Sequence, residues 1–314
     1  MLRCDAYTGV VTNASSNDET HFGQAHGLVY FGDNLAFLKK TADASVDLVY
    51  IDPPFNTGKT QRKTRTKTTP REDGDRIGFG GRRYATEFGA STEYSDVFDD
   101  YMGFLEPRLR EAYRVLKSSG SFYLHLDYRQ VHYCKVLMDQ IFGRECFQNE
   151  IIWAYDYGGR PKNRWPAKHD NILYYVKDPA HFTFNKEAID RIPYMAPGLV
   201  GPEKAARGKL PTDTWWQTIV PPGGRESTGY ATQKPIAILR RIITASSTPG
   251  DVVLDFFAGS GTTGAAAAEL GRRFVLADEN PQAIEVMHAR FADLEDVGFV
   301  ESSANPGDIG VADS

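Results

Sequence analysis

Cysteine is scarce in this 314-residue chain. Cys4, Cys134 and Cys146 are odd in number and far apart, which excludes a disulfide framework and a cysteine-rich zinc site and leaves three expected free thiols. Long apolar runs are missing too. None reaches the ~18 residues a membrane helix needs, and Met1 to Thr20 lacks the apolar stretch of a signal peptide, so the expected location is the cytoplasm. Nor is there an excess of positive charge. Lys and Arg number 36 against 41 Asp and Glu, a net charge of −5, which argues against a uniformly basic coat but leaves local basic patches open. No internal repeat is visible. The length suits one large α/β domain or a domain carrying a substantial insertion.

From Gly27 the chain alternates apolar runs with helical patterns. Strands are expected at 28–31, 46–51, 121–126, 150–155, 171–176, 252–256 and 273–276, and helices at 34–40, 96–116, 129–142, 235–246, 262–270 and 281–294. Strands alternating with helices mean a doubly wound, mostly parallel sheet. Two stretches break the rhythm. Lys59 to Tyr94 is rich in Thr, Arg, Lys and Gly with almost no aliphatics, and Pro179 to Pro222 is dotted with Pro and Gly; each exceeds a normal connection.

Asp255-Phe256-Phe257-Ala258-Gly259-Ser260-Gly261-Thr262-Thr263-Gly264 closes one strand and opens an alanine-rich helix. Glycines there let a ligand approach the backbone. Asp278 ends the next strand about 20 residues on, where a carboxylate can accept both hydroxyl hydrogens of a ribose. No Lys follows the glycines, so a P-loop is excluded. Taken alone, the turn fits the dinucleotide fingerprint, and a nicotinamide oxidoreductase stands as a rival; so does a tight turn with no ligand.

What separates the rivals is Asp52-Pro53-Pro54-Phe55 at the end of a β-branched strand. Two prolines stiffen the chain and remove two amide donors. Asp52 and the Pro53 carbonyl then offer two acceptors to a planar exocyclic amine, which has two hydrogens to give. Phe55 supplies a face on which a base extruded from a duplex can stack. The bland alternative is a proline-stopped turn with a surface Asp.

Asp-Pro-Pro-Phe together with Asp-x-Phe-x-Gly-x-Gly resembles the S-adenosylmethionine-dependent DNA amino-methyltransferases. The order, tetrapeptide before glycine turn, is similar to the permuted arrangement of their β class. The resemblance runs from about Gly32 to Phe291. It takes in Gly32-Asp33-Asn34, Arg114-Val115-Leu116-Lys117, Gly120-Ser121, His125-Leu126-Asp127, Trp165-Pro166-Ala167-Lys168-His169-Asp170 and Thr232-Gln233-Lys234-Pro235. Phe256-Phe257 departs from the Pro-Phe of many relatives.

This resemblance implies a seven-stranded Rossmann-like sheet with a small irregular target-recognition insertion. It implies Asp52, Pro53, Pro54 and Phe55 as the catalytic loop and S-adenosylmethionine as cofactor. Asp255, Phe256, Phe257, Ala258, Gly259, Ser260 and Gly261 would wrap the methionine end, continued by Thr262 and Thr263. Asp278 would hold the ribose, with Asp33, Thr232, Gln233, Lys234 and Pro235 lining the same pocket. Double-stranded DNA is the implied partner, with adenine N6 as target and cytosine N4 as the alternative. Nucleoid association follows; a homodimer and a cognate restriction endonuclease are compatible with it. No metal is implied.

The expected organisation is a tail at 1–26, a catalytic half at 27–178 containing a basic loop at 59–95, a target-recognition region at 179–225, a cofactor half at 226–298 and a tail at 299–314. Lys59, Arg62, Lys63, Arg65 and Lys67, beginning just after the tetrapeptide, are candidate phosphate contacts, though such a run can equally be a solvated face. Arg160, Lys162 and Arg164 beside Trp165 form a second basic cluster, and Trp215-Trp216 ends the irregular segment. His125 and His169 are read as structural hydrogen-bonders rather than general bases.

Overall fold

The computed structural model describes residues 26–302 apart from 71–72, 74–75, 78–82 and 222; the tails expected at 1–26 and 299–314 lie largely outside them. In chain order the elements begin β1 Gly27–Phe31, α1 Asn34–Lys40, β2 Val46–Ile51, β3 Lys59–Pro70, β4 Arg76–Ile77, β5 Arg83–Asp96, α2 Tyr101–Val115, β6 Leu116–Leu126 and α3 Val131–Phe142. They continue β7 Phe147–Ala154, β8 His169–Val176, α4 Pro202–Arg207, β9 Thr214–Trp216, α5 Ile236–Ser246, β10 Val252–Asp255, α6 Thr262–Glu269, β11 Arg273–Asp278, α7 Pro281–Arg290 and β12 Val297–Glu301.

The chain divides into two compact units, residues 54–101 and the remainder. In the larger, nine strands run in the order β12-β1-β11-β10-β2-β6-β8-β7-β9. Pairing is parallel except for β6 with β8 and β7 with β8. The mostly parallel α/β reading therefore stands, but the seven expected strands become nine. The additions are short edge strands. Thr214–Trp216 adds to β7, and Val297–Glu301 adds to β1, so the boundary expected at 298 falls inside a strand. β9 has only three residues, too few to show a period, and Gly298 and Glu301 interrupt the apolar pattern of β12; backbone groups left open at a sheet edge recruit both.

Central strands read as apolar runs because both their faces are covered: Val252 to Asp255 are all buried, as are Leu48 to Ile51. Ile238, Leu239, Ile242 and Ile243 recur at helical spacing and bury one face of α5. Helix α6 lies close on the sheet because it is nearly side-chain-free; a Cβ at Gly264 would meet Leu276 Cδ1 at 2.7 Å.

In the smaller unit, the basic loop expected at 59–95 is replaced by an antiparallel sheet in the order β3-β5-β4. Its register runs from Lys59 opposite Asp96 to Pro70 opposite Tyr84. Between Thr64/Ser91 and Thr66/Phe88 it slips, leaving Gly89 and Ala90 across from Arg65. Threonine at 60, 64, 66, 68 and 69 supplies β-branched residues that favour extended backbone, and the ladder satisfies backbone groups without needing aliphatic residues.

Candidate active site

Three neighbouring parallel strands bring three carboxylates to one edge of the sheet. Asp52 follows β2, Asp255 closes β10 and Asp278 closes β11. From β10 the chain crosses to β11 on one side, whereas β2 pairs with β6 on the other. The β10/β2 junction is thus a topological switch point, where open α/β sheets form a crevice for ligands.

The glycine turn is built by the acids around it. Asp255 Oδ1 accepts the Phe257 N–H at 3.0 Å and Oδ2 accepts the Thr263 hydroxyl at 2.6 Å, so this carboxylate closes the turn onto the first turn of α6. Asp278 Oδ2 accepts the Gly259 N–H at 2.8 Å and Oδ1 accepts the Asn280 N–H at 2.8 Å. Both Asp255 oxygens keep a lone pair, whereas Asp278 also takes a backbone hydrogen bond from Glu279 and keeps fewer. Gly259 has φ +51° and Gly261 φ +70°, a region side-chain-bearing residues rarely enter. A Cβ at Gly259 would also stand 3.2 Å from the Tyr230 ring. Burial pushes Asp255 up to about 7, with Asp52 and Asp278 adding repulsion. Burial likewise pushes Asp278 up to about 6, with Glu279 adding to it. Such an acid cluster favours a ligand that brings positive charge.

Asp52 Oδ2 is paired with the Lys234 ammonium, and Asp52 Oδ1 is buried with no hydrogen-bond partner among the described residues. Behind this pair runs a buried polar chain. The Tyr50 hydroxyl lies 2.7 Å from His125 Nδ1, His125 Nε2 lies 3.3 Å from Asp170 Oδ2, and the Tyr155 hydroxyl donates to Asp170 Oδ1 at 3.1 Å. Burial works to raise Asp170, yet its hydrogen bond to His125, the charges of His125 and Lys234 and the Tyr155 hydroxyl together hold it below the usual carboxylate range. Tyr50 is pushed up, first by burial and then by Asp52, Asp255 and Asp170. His125 is fully buried and bonded through both ring nitrogens.

The other expected pocket residues divide. Asp33 is the N-cap of α1, accepting the Ala36 N–H at 2.7 Å, and pairs with Arg108 at 3.2 Å. Arg108 also donates to Asn34 Oδ1 at 2.6 Å, and Asn34 donates to the Phe256 carbonyl at 2.7 Å, which ties α1 and α2 to the glycine turn. Gln233 Oε1 accepts the Thr228 N–H and hydroxyl, both at 2.8 Å, and its Nε2 donates to the Glu226 carbonyl at 2.7 Å; it shapes its own loop. Thr232 is exposed, and Pro235 is the buried N-cap of α5. Ser260 and Thr262 are buried, their hydroxyls 3.0 Å apart. Phe256 and Ala258 are buried, and the Phe257 ring lies 6.1 Å from that of Phe104.

Within the smaller unit, the exit from the tetrapeptide is fastened by Asp96. Its carboxylate accepts the Asn56 N–H at 2.7 Å, the Thr57 N–H at 3.1 Å and the Thr57 hydroxyl at 2.6 Å. Asn56, at φ +51°, accepts the Phe98 N–H at 2.9 Å and donates to the Phe98 carbonyl at 3.2 Å. This clasp also explains why the helix expected from Asp96 starts at Tyr101: Asp96 and Phe98 are committed to the loop.

Of the candidate phosphate contacts, Lys59, Arg62, Lys63, Arg65 and Lys67 lie along β3. Arg160, Lys162 and Arg164 sit with Trp165, which is 95% exposed, on the loop between β7 and β8. Arg160 pairs with Asp156 at 2.8 Å. The loop leaves the sheet at Tyr155, whose hydroxyl donates to Asp170. Trp215 is buried beneath Arg241 and Trp216 is exposed. The sequence motifs carry no sign of the roles of Asp96 and Arg108, since each acts through partners distant along the chain. Among the described residues, no group of His, Cys, Asp and Glu could hold a metal ion, and no helix is long and apolar enough to cross a membrane.

Comparison with known proteins gives the family. Residues 46–289 match the family model described as DNA methylase. DNA adenine methyltransferase YhdJ of Escherichia coli (strain K12) is 32% identical over 282 residues, covering 86% of this chain and 84% of that protein. Type II methyltransferase M.HpaI of Haemophilus parainfluenzae is 32% identical over 262 residues, covering 83% and 73%. Among solved structures, PvuII DNA methyltransferase (cytosine-N4-specific) shares the fold with a TM-score of 0.59 at 18% identity, covering 86% of this chain and 88% of that one. The M1.HpyAVI-SAM complex does so with a TM-score of 0.55 at 20% identity, covering 84% and 98%. The chain belongs to the DNA methylase family of N6 and N4 amino-methyltransferases. That removes the nicotinamide oxidoreductase.

Proposed function

We propose that this protein methylates the N6 amine of adenine at specific sites in duplex DNA, with S-adenosylmethionine as methyl donor. The observation that carries the reading is the largely buried Asp52 carboxylate at the switch point, with one oxygen that no hydrogen-bond donor among the described residues reaches.

The residues present fit the donor. Gly259 and Gly261 hold the turn in a conformation side-chain-bearing residues rarely enter, Asp278 retains acceptor capacity for a ribose hydroxyl, and Asp52, Asp255 and Asp278 together suit a sulfonium cation. Bound there, S-adenosylmethionine supplies a methyl on a positively charged sulfur that departs as a neutral thioether. Asp52 Oδ1 accepts one N–H of the target amine and turns the nitrogen lone pair toward the methyl; the Pro53 carbonyl takes the second N–H. The nitrogen gains the methyl and releases one proton to water. Phe55, by its place in the tetrapeptide, gives the extruded base a stacking face. Lys59, Arg62, Lys63, Arg65, Lys67, Arg160, Lys162 and Arg164 meet phosphates, and the segment 179–225 reads the target.

Adenine is favoured by the aspartate heading the tetrapeptide and by the likeness to YhdJ. Cytosine N4 offers the same planar amine and is the second outcome of the test. Likeness to the type II methyltransferase M.HpaI supports a site-specific modification role. Incubation with methyl-labelled S-adenosylmethionine and duplex DNA, followed by sequencing that reports modified bases, gives N6-methyladenine at one recurring site. Label in cytosine alone overturns the adenine assignment, and no label in DNA overturns the reading.

A further inference from the structure

By its motif, Lys234 belongs among the residues expected to line the cofactor pocket. Its ammonium rests on Asp52 Oδ2, and the two side chains are only 13% and 15% exposed. Oδ1 of the same carboxylate is buried and has no partner among the described residues. The positive charge of Lys234 is also felt by Asp170, which stands at the start of β8, at the same end of the sheet where Asp52 follows β2. A carboxylate out of water needs a counter-charge and satisfied lone pairs. Here one oxygen has both and the other has neither.

We infer that Lys234 is a positioning residue for Asp52: it clamps Oδ2, fixes the plane of the carboxylate and reserves Oδ1 for the N–H of the target base. The inference rests on the amine-methylating reading above. A carboxylate free to rotate presents either oxygen in many planes; one clamped by an ammonium presents a single acceptor in a single direction. The approach of the amine, and with it the line from its lone pair to the methyl, is then set before DNA arrives. Positioning of this kind acts on the transition state rather than on cofactor affinity.

The test compares wild type with Lys234→Ala and with Lys234→Met, which keeps an apolar stem should the alanine variant fail to fold. Affinity for S-adenosylmethionine is read by calorimetry, and kcat and KM for duplex DNA by label transfer. The clamp requires kcat to fall by ~10², with cofactor affinity and duplex KM unchanged. It also requires added methylammonium to restore part of the Lys234→Ala rate while leaving wild type unaffected. Lost cofactor affinity with unchanged kcat at saturation returns Lys234 to the cofactor pocket and overturns the inference. A raised rate in either variant overturns it too, by making Lys234 a plug that the target amine must displace. A wild type that leaves DNA unmethylated overturns the underlying reading, whereas an active wild type matched by both variants overturns the clamp alone.

Discussion

The Gly259 N–H donates to Asp278 Oδ2 at 2.8 Å, so the acid proposed to hold the ribose also holds the turn that approaches it. Burial raises Asp278 to about 6 and Asp255 to about 7. From the ordinary carboxylate range up to those values, the folded protein binds more protons than the unfolded chain. The stability of the ligand-free protein therefore falls as pH rises through that window. Cofactor affinity moves the other way. Below about pH 6 the protonated Asp278 loses acceptor capacity and the cluster loses negative charge. Calorimetry between about pH 5 and pH 8 should show affinity for S-adenosylmethionine dropping by roughly tenfold at the acid end. Thermal melts of Asp255→Asn should show a flatter dependence on pH than wild type. Affinity that rises on acidification would contradict the assignment.

Asp52→Ala should lower kcat by ~10²–10³ or more. Cofactor affinity should fall far less than kcat, because Asp52 adds one charge to the cluster while the turn is held by Asp255 and Asp278. Methyl-transfer assays paired with cofactor titration separate the two quantities. An active Asp52→Ala enzyme removes the acceptor mechanism.

Asp96→Ala strips three donors of their buried acceptor, two on Thr57 and one on Asn56. Each orphaned donor costs about 1–3 kcal/mol where water cannot reach it. Amide hydrogen exchange at Asn56 and Thr57 should accelerate, and kcat should fall with the loss of the clasp that follows the tetrapeptide. Unchanged protection at both amides would show that the clasp contributes nothing to order in the loop.

Replacing Lys63, Arg65 and Lys67 together by alanine should shrink the slope of log affinity against log salt by roughly 0.9 for each phosphate left without its cation, with little change in sequence preference. Duplex binding across a salt series measures it. Identical slopes would leave phosphate binding to the loop bearing Arg160, Lys162 and Arg164.

Much of the carboxylate-bearing edge was legible because its signals are local. Val46 to Ile51 and Val252 to Asp255 are runs that only a covered strand tolerates, and each ends in its own chemistry: an acid with two prolines, or an acid with a glycine turn. Asp278 could be found by counting from that turn. The stretch after the tetrapeptide misled, because few aliphatics read as a loop, while its threonines and backbone ladder form strands.

The order of residues along the chain is enough to say which of them could do chemistry and that they sit at strand ends, since strand period, turn chemistry and glycine tolerance are properties of a few consecutive residues. Which of them meet is a property of the whole fold. The Lys234 and Asp52 side chains are 182 positions apart, and they pair because β2 takes its place beside β10 and the segment entering α5 reaches the end of β2. His125 became a link between Tyr50 and Asp170 because β8 runs antiparallel to β6. Strand order is set by the burial of whole faces and the closing of backbone ladders, and these depend on every element at once.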